Sequence, residues 1–148
     1  MTTSEALEKL RKYCAYQERC HHDVRTKLLS LKIYGDQLEE VMAQLVKEGF
    51  LNELRYAKSF AGGKHRIKKW GRKKIIGELK KRHISNYCIT KGLQEIDAEL
   101  YERNLTDLLG KFTARAPKTL DKWKIKSKAF QYAISKGYEA EMINRILN

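Results

Sequence analysis

The sequence predicts an all-α chain of three tandem three-helix repeats in an elongated, curved array, on three observations. Ala, Leu, Glu, Lys and Arg dominate its 148 residues, with nine glycines and a single proline, a composition that favours helices. Apolar side chains recur at a 3.6-residue spacing, and no stretch sustains the period-2 alternation of a half-buried strand. The third observation is an internal period. Val24, Leu28, Ile33, Leu38 and Met42, shifted by 51, become Ile75, Leu79, Ile84, Ile89 and Leu93; a further shift of 54 gives Ala129, Ala133, Tyr138, Ile143 and Leu147. Every one of these positions suits a core. The strings Lys32-Ile33-Tyr34-Gly35, Arg82-His83-Ile84-Ser85 and Lys136-Gly137-Tyr138-Glu139 fall in the same turn between two short helices.

The elements follow in order. A first helix over 4–17 carries Leu7, Leu10 and Cys14 on one stripe, and Ser4 before Glu5 is its expected N-cap, a hydroxyl able to accept an unpartnered backbone N–H. The second, over 22–32, holds Val24 and Leu28. The third, over 36–48, has Leu38, Val41, Met42, Leu45 and Val46 on one face and Gly49 as its stop. The repeat then places helices over 53–68, 72–82 and 86–96, the last capped by Ser85 and striped by Ile89, Leu93 and Ile96. The final unit has helices over 98–113 (Tyr101, Leu105, Leu108, Leu109, Phe112), 121–136 and 139–147, with Pro117 marking the loop between the first two. Helices this short are marginal alone and must bury their stripes on neighbours. The units are 1–51, 52–97 and 98–148.

Composition excludes several classes. A chain of this length buries roughly 70% of its unfolded surface and needs neither disulfide nor metal to fold. No run approaches the ~18 apolar residues of a membrane span, and the start, MTTSEALEKL, lacks the pattern of a signal peptide. Cys14, Cys20 and Cys88 form an odd set without framework spacing, which fits a reducing compartment. A cytoplasmic location is the expectation.

Charge is unevenly spread. The formal net charge is +13, from 31 Lys+Arg against 18 Asp+Glu. The first unit holds 8 basic and 8 acidic residues, the middle 13 and 4, the last 10 and 6. Between residues 64 and 83 lie Lys64, Arg66, Lys68, Lys69, Arg72, Lys73, Lys74, Lys80, Lys81 and Arg82, against Glu78 alone. At 100° per residue Ile75, Ile76 and Leu79 share one side of the second helix, while Lys73, Lys74, Lys80 and Lys81 fall on the opposite, solvated side. Like charges so spaced repel, and a polyanion relieves that cost by bringing phosphates and releasing counterions. Lysine-rich composition points to backbone contact rather than base reading. Lys118, Lys122, Lys124, Lys126 and Lys128 form a secondary patch whose spacing spreads charge around the helix. Trp70 and Trp123 precede their second helices by a similar offset and are read as a repeated core or hinge position in preference to base-stacking plates.

Chemistry-bearing motifs are few. Cys14, Cys20, His21, His22 and Asp23 lack the second close ligand pair of a zinc site, and Cys88, His65 and His83 are scattered. No metal and no cofactor are expected. Carboxylates in the basic unit (Glu53, Glu78, Glu95, Asp97) form no cluster for Mg²⁺, and Gly62-Gly63-Lys64-His65 lacks the spacing and hydroxyl of a phosphate loop. The sequence argues against an enzyme.

Three segments carry a resemblance: Arg19-Cys20-His21-His22-Asp23-Val24-Arg25-Thr26-Lys27-Leu28; Gly49-Phe50-Leu51-Asn52-Glu53-Leu54-Arg55-Tyr56-Ala57-Lys58-Ser59-Phe60; and Gly63-Lys64-His65-Arg66-Ile67-Lys68-Lys69-Trp70-Gly71-Arg72-Lys73-Lys74-Ile75 with Glu78-Leu79-Lys80. Over nearly its whole length the chain resembles the RecX family of bacterial recombination regulators. Asn52 stands where the family often has Asp, and His22 where a helix-capping Ser is common. The resemblance implies an array of three three-helix repeats that binds the RecA recombinase filament and both single- and double-stranded DNA. It implies restraint of strand exchange, ATP hydrolysis and co-protease action in DNA repair and the SOS response. A monomer is expected. Two alternatives stand beside it. One is a helix-turn-helix regulator reading duplex DNA with the segment from Arg72 to Ile96; the other is an adaptor that binds only protein.

Overall fold

A computed structural model describes residues 1–148 as nine α-helices and no strand: α1 (Thr3–Tyr16), α2 (His21–Ser30), α3 (Gly35–Lys47), α4 (Glu53–Lys68), α5 (Arg72–Lys81), α6 (Asn86–Leu93), α7 (Ala98–Arg115), α8 (Lys122–Ser135) and α9 (Ala140–Leu147). Each lies within about three residues of its expected bounds. The largest shift is at α6, which stops at Leu93 and leaves Ile96 to bury itself from a turn. Helices pack chiefly within the triplets α1–α3, α4–α6 and α7–α9.

The internal period has a stereochemical basis in the turns. Lys32, His83 and Gly137 stand at the same place in the three second-to-third-helix turns, and all have left-handed backbones, with φ of 62°, 59° and 98°. In each turn the next residue donates its backbone N–H five residues back: Ile33 to Leu28, Ile84 to Leu79 and Tyr138 to Ala133, at 3.0, 3.1 and 3.1 Å. This reverse bond satisfies a helix-end carbonyl and swings the following side chain into the core. Ile33, Ile84 and Tyr138 are accordingly buried. So are the other aligned positions, with Leu93 and Leu147 half-buried. Full burial of such an aliphatic side chain contributes about 1.5–3 kcal/mol, which is why the pattern survives where the rest of the repeat does not.

Caps explain most helix starts. Ser85 accepts from the Cys88 N–H as expected. Asn52 accepts from the Arg55 N–H at 2.9 Å and so caps α4. Two expectations are corrected. The N-cap of α1 is Thr2, whose hydroxyl accepts from Glu5, and Ser4 lies inside the helix. The cap of α2 is Cys20, paired with Asp23 in a reciprocal capping box, so His22 is not at a capping position. Val46, expected on the buried stripe of α3, is 48% exposed, because Leu38, Val41, Met42 and Leu45 already fill that face.

The buried apolar residues form two clusters, not three. One holds the first triplet's residues, including Leu10, Val24, Leu28 and Leu45. The other runs without a break through the second and third triplets and takes in Cys20 from the first. The chain exposes 9400 Å², against about 7,800 Å² for a compact monomer of 17.3 kDa. An extended array accounts for the excess.

Backbone and polar contacts weld the second triplet to the third. Gly71 N–H donates to the Lys136 carbonyl at 2.7 Å and Lys73 N–H to the Gly137 carbonyl at 2.9 Å, so the start of α5 rests on the α8–α9 turn. Tyr138 donates its hydroxyl to the Lys69 carbonyl at 2.7 Å. Tyr101, fully buried, donates to Glu139, which also pairs with Arg72 at 2.8 Å. Burial alone pushes Glu139 up, but the Tyr101 hydroxyl and the Arg72 guanidinium hold it below the ordinary carboxylate range. Burial pushes Tyr138 up to about 12.

His65, 2% exposed, completes this joint. Its Nδ1 lies 2.9 Å from the Trp70 carbonyl, which can only accept, so Nδ1 carries the proton and Nε2 accepts from Asn104 at 2.9 Å. Burial pulls the imidazole below its ordinary value. A histidine held neutral in the fold contributes stability that is complete above its unfolded pKa of about 6.5 and is lost as pH falls from there towards the lowered folded value. Glu139 adds a loss of the same sign at lower pH, through the lowered carboxylate pKa. Thermal unfolding from pH 7.5 to 5 is therefore expected to show a falling midpoint. In His65→Gln the midpoint is lower at pH 7.5, but its decline between pH 6.5 and 5 is shallower.

Candidate nucleic-acid interface

The basic segment folds into a reversal. α4 ends at Lys68, and Lys69 takes a left-handed conformation (φ 59°) that returns its N–H to the His65 carbonyl. The chain passes through Trp70 and Gly71 and re-enters helix at Arg72. Cations ten residues apart in sequence are thereby brought together. Lys64 and Lys74 both hold their ammonium groups over the Trp70 ring, at 5.1 and 4.7 Å. Phe60 lies 6.3 Å from Trp70, edge to face, and Arg82 sits 4.9 Å over Phe60. Three cations from α4, α5 and the turn after it thus ring two aromatic side chains, and Lys68 joins Phe60, Lys64 and Arg82 in a groove that also holds Arg19, Glu18 and Asp23.

The ten predicted cations do not share one face. Lys73, Lys80 and Lys81 line the outer side of α5 as expected. Lys74 does not: it is half-buried over Trp70 and against Gly137. Arg72 turns inward to Glu139 and packs 3.8 Å over Tyr101, which makes it part of the joint. Arg82 is shared with Glu78 at 3.2 Å, and Lys81 approaches the same carboxylate at 3.8 Å. Arg66, Lys68 and Lys69 are exposed at the end of α4. The first triplet is different in kind. Its Arg11 pairs with Glu48 and its Arg25 with Glu39, at 2.7 and 2.6 Å, and its Glu18 takes Arg55 of α4 at 2.5 Å. By contrast Lys64, Lys68, Lys73, Lys74 and Lys80 have no carboxylate within ion-pair distance. The residual field of the molecule therefore originates in the middle of the chain.

The secondary patch is dispersed. Lys118, Lys122, Lys124, Lys126 and Lys128 are all exposed, but of these only Lys128 faces the groove between α7 and α8. There it joins Lys68 and Lys69 of α4 and three cations that sequence spacing did not single out: Lys111, Arg115 and Lys136. They lie far apart in the chain and meet only because α7 and α8 run side by side. The two tryptophans part company. Trp70 is half-buried and packs on the core, whereas Trp123 is 75% exposed and is not a core residue. It lies inside α8 rather than before it, in a first turn that extends past the packed part of the triplet.

The remaining candidates are accounted for structurally. Cys14 is a small core residue at 8% exposure, Cys20 caps α2, and Cys88 is buried beside Glu53 on α6. No helix is long and apolar enough to cross a membrane.

Comparison with known proteins agrees with this architecture. A family model described as "RecX, second three-helix domain" matches residues 52–93. The protein named "Regulatory protein RecX" from Clostridium acetobutylicum is 32% identical over 128 residues, covering 84% of this chain and 59% of that protein. Its namesake from Clostridium perfringens is 28% identical, covering 84% and 58%. The chain thus spans about three-fifths of the length of these relatives. The crystal structure of RecX from Lactobacillus salivarius superimposes with a TM-score of 0.87 at 24% identity, covering 98% of this chain and 94% of that one, and so has the same fold. A matching second domain, relatives of one name and a shared fold agree: along most of its length the chain is similar to the RecX family.

Proposed function

We propose that this chain is a non-catalytic regulator that binds the RecA recombinase filament together with single- or double-stranded DNA and restrains the filament's strand exchange, ATP hydrolysis and co-protease action. Units 1–51, 52–97 and 98–148 are its repeating modules in this reading. The observation that carries it is the ring of cations about Phe60 and Trp70, where Lys64, Lys68 and Lys74 stay unpaired while the nearby acids are engaged elsewhere, Glu78 by Arg82, Glu18 by Arg55 and Asp23 in the cap of α2. Aromatic side chains beside unpaired lysines suit a nucleic-acid backbone with bases near at hand. An array longer than a compact domain can touch consecutive protomers of a polymer. Holding them in one state disfavours turnover, because a ligand shifts an equilibrium only through unequal affinity for its states.

The helix-turn-helix alternative is disfavoured by α6. Its Cys88, Ile89 and Gly92 are buried, and only Asn86, Tyr87 and Thr90 are fully exposed. The test is strand exchange by the recombinase of the same organism, with this protein added below one copy per recombinase protomer. The expected result is slower product formation and slower ATP hydrolysis. Unchanged rates at full stoichiometry overturn the proposal.

A further inference from the structure

A groove of about 740 Å³ runs along α7 and α8, on the side that α9 does not line. Its floor is apolar: Leu108, Phe112, Leu120, Ile125 and Tyr132. Its rim carries Lys68, Lys69, Lys111, Arg115, Lys128 and Lys136, against Asp107 alone. None of these seven charged residues is in an ion pair. On α7 the lining runs from Asn104 to Arg115, about 17 Å at 1.5 Å per residue. That is the length of three helical turns.

Two features choose between occupants. Phe112 and Tyr132 stack on one another, with centroids 5.1 Å apart and planes at 23°, so their facing surfaces are closed to a nucleic-acid base. The rest of the floor is aliphatic, whereas surfaces that bind nucleic acid are polar and wet. A seam between two packed helices is the shape that a third helix fills, with apolar residues at i, i+3, i+4 and i+7. The cationic rim requires that helix to be acidic on its flanks.

We propose that the α7–α8 groove docks an acidic amphipathic helix of about three turns from the recombinase protein, with Leu108, Phe112 and Ile125 taking its apolar stripe and Lys111, Arg115 and Lys128 its carboxylates. The inference rests on the reading that the recombinase filament is the partner. It assigns the protein contact to the third triplet and leaves the Phe60–Trp70 cluster to DNA.

The test uses the full chain with a photoreactive benzoylphenylalanine in place of Tyr132, and the recombinase assembled on dT oligonucleotide. Irradiation is expected to attach position 132 to a recombinase segment that is acidic and has apolar residues at helical spacing. Attachment to the oligonucleotide, to a second copy of this chain or to a segment without acidic residues overturns the proposal. In parallel, Lys111→Glu with Lys128→Glu, both exposed and therefore harmless to folding, is expected to weaken filament binding at least tenfold. Binding of the same variant to dT oligonucleotide without recombinase should change less than threefold. Equal filament affinity in variant and wild type defeats the groove assignment alone. A wild-type chain that does not bind the filament defeats the functional reading itself.

Discussion

Replacing Lys64, Lys68 and Lys74 together by glutamine is expected to lower affinity for a dT oligonucleotide about a hundredfold at 0.1 M salt, with the difference vanishing towards 1 M. The magnitude follows from counterion release. Each phosphate neutralised on a single strand contributes about 0.7 to the slope of log affinity against log salt, so three lost contacts flatten the slope by about 2. These three are chosen because they have no acidic partner and are linked through Lys64, which lines one groove with Lys68 and shares the Trp70 ring with Lys74. Glutamine keeps much of the aliphatic stem that packs on the rings, so the fold is preserved. The companion variant neutralises Lys73, Lys80 and Lys81 on the outer side of α5. Its slope is expected to change by less than 1. Fluorescence anisotropy titrations at four salt concentrations decide the matter. Equal effects of the two variants mean a diffuse field and no site, and no effect of the first removes the cluster from the mechanism.

The three repeats were legible in the sequence because each contains one device, a left-handed residue followed by a buried apolar side chain, as in Lys32-Ile33, His83-Ile84 and Gly137-Tyr138. A local reason of this kind leaves a local trace. The arrangement of charge was legible only in part. Helical geometry places Lys73 and Lys80 correctly, since their positions depend on α5 alone. It misplaces Lys74, and counting charge alone does not reveal that Arg72 turns inward, because their partners Gly137 and Glu139 come from the third triplet, more than sixty residues away. Trp123 shows the reverse error. An aromatic at a repeated offset reads as core, yet here α7 and α8 have 18 and 14 residues where α1 and α2 have 14 and 10, and the extra turn of α8 extends past its packing partners. Lys111, Arg115 and Lys136 were missed for the same reason that Arg72 was misjudged. Their significance lies in a groove between two helices, and no spacing within either helix records it.

Gly71→Ala is expected to be among the most destabilising single substitutions in the chain, although it adds one methyl group to a residue in a basic, superficially exposed stretch. A Cβ at position 71 falls well inside van der Waals contact of the Gly137 carbonyl group and of the Tyr138 nitrogen. The obstacle is backbone, so no rotamer change relieves it. Either the Gly71–Lys136 and Lys73–Gly137 hydrogen bonds open, or the α8–α9 turn moves and takes Tyr138 and Glu139 from their partners. Overpacking of this kind costs about 3 kcal/mol, a fall of roughly 10 °C in the unfolding midpoint for a chain of this size. Gly77→Ala is the control. Gly77 is exposed in the middle of α5, and nothing lies within 4 Å of its added Cβ. There the same methyl group restricts only the unfolded chain and improves helix propensity, so the midpoint should rise by a few degrees, for a gain of about 0.5–1 kcal/mol. Because the two glycines lie six residues apart in one basic segment, opposite signs in their melting curves isolate the junction from any general effect of changing that segment. If Gly71→Ala melts at the wild-type temperature, the close backbone approach between the second and third triplets is not what holds them together.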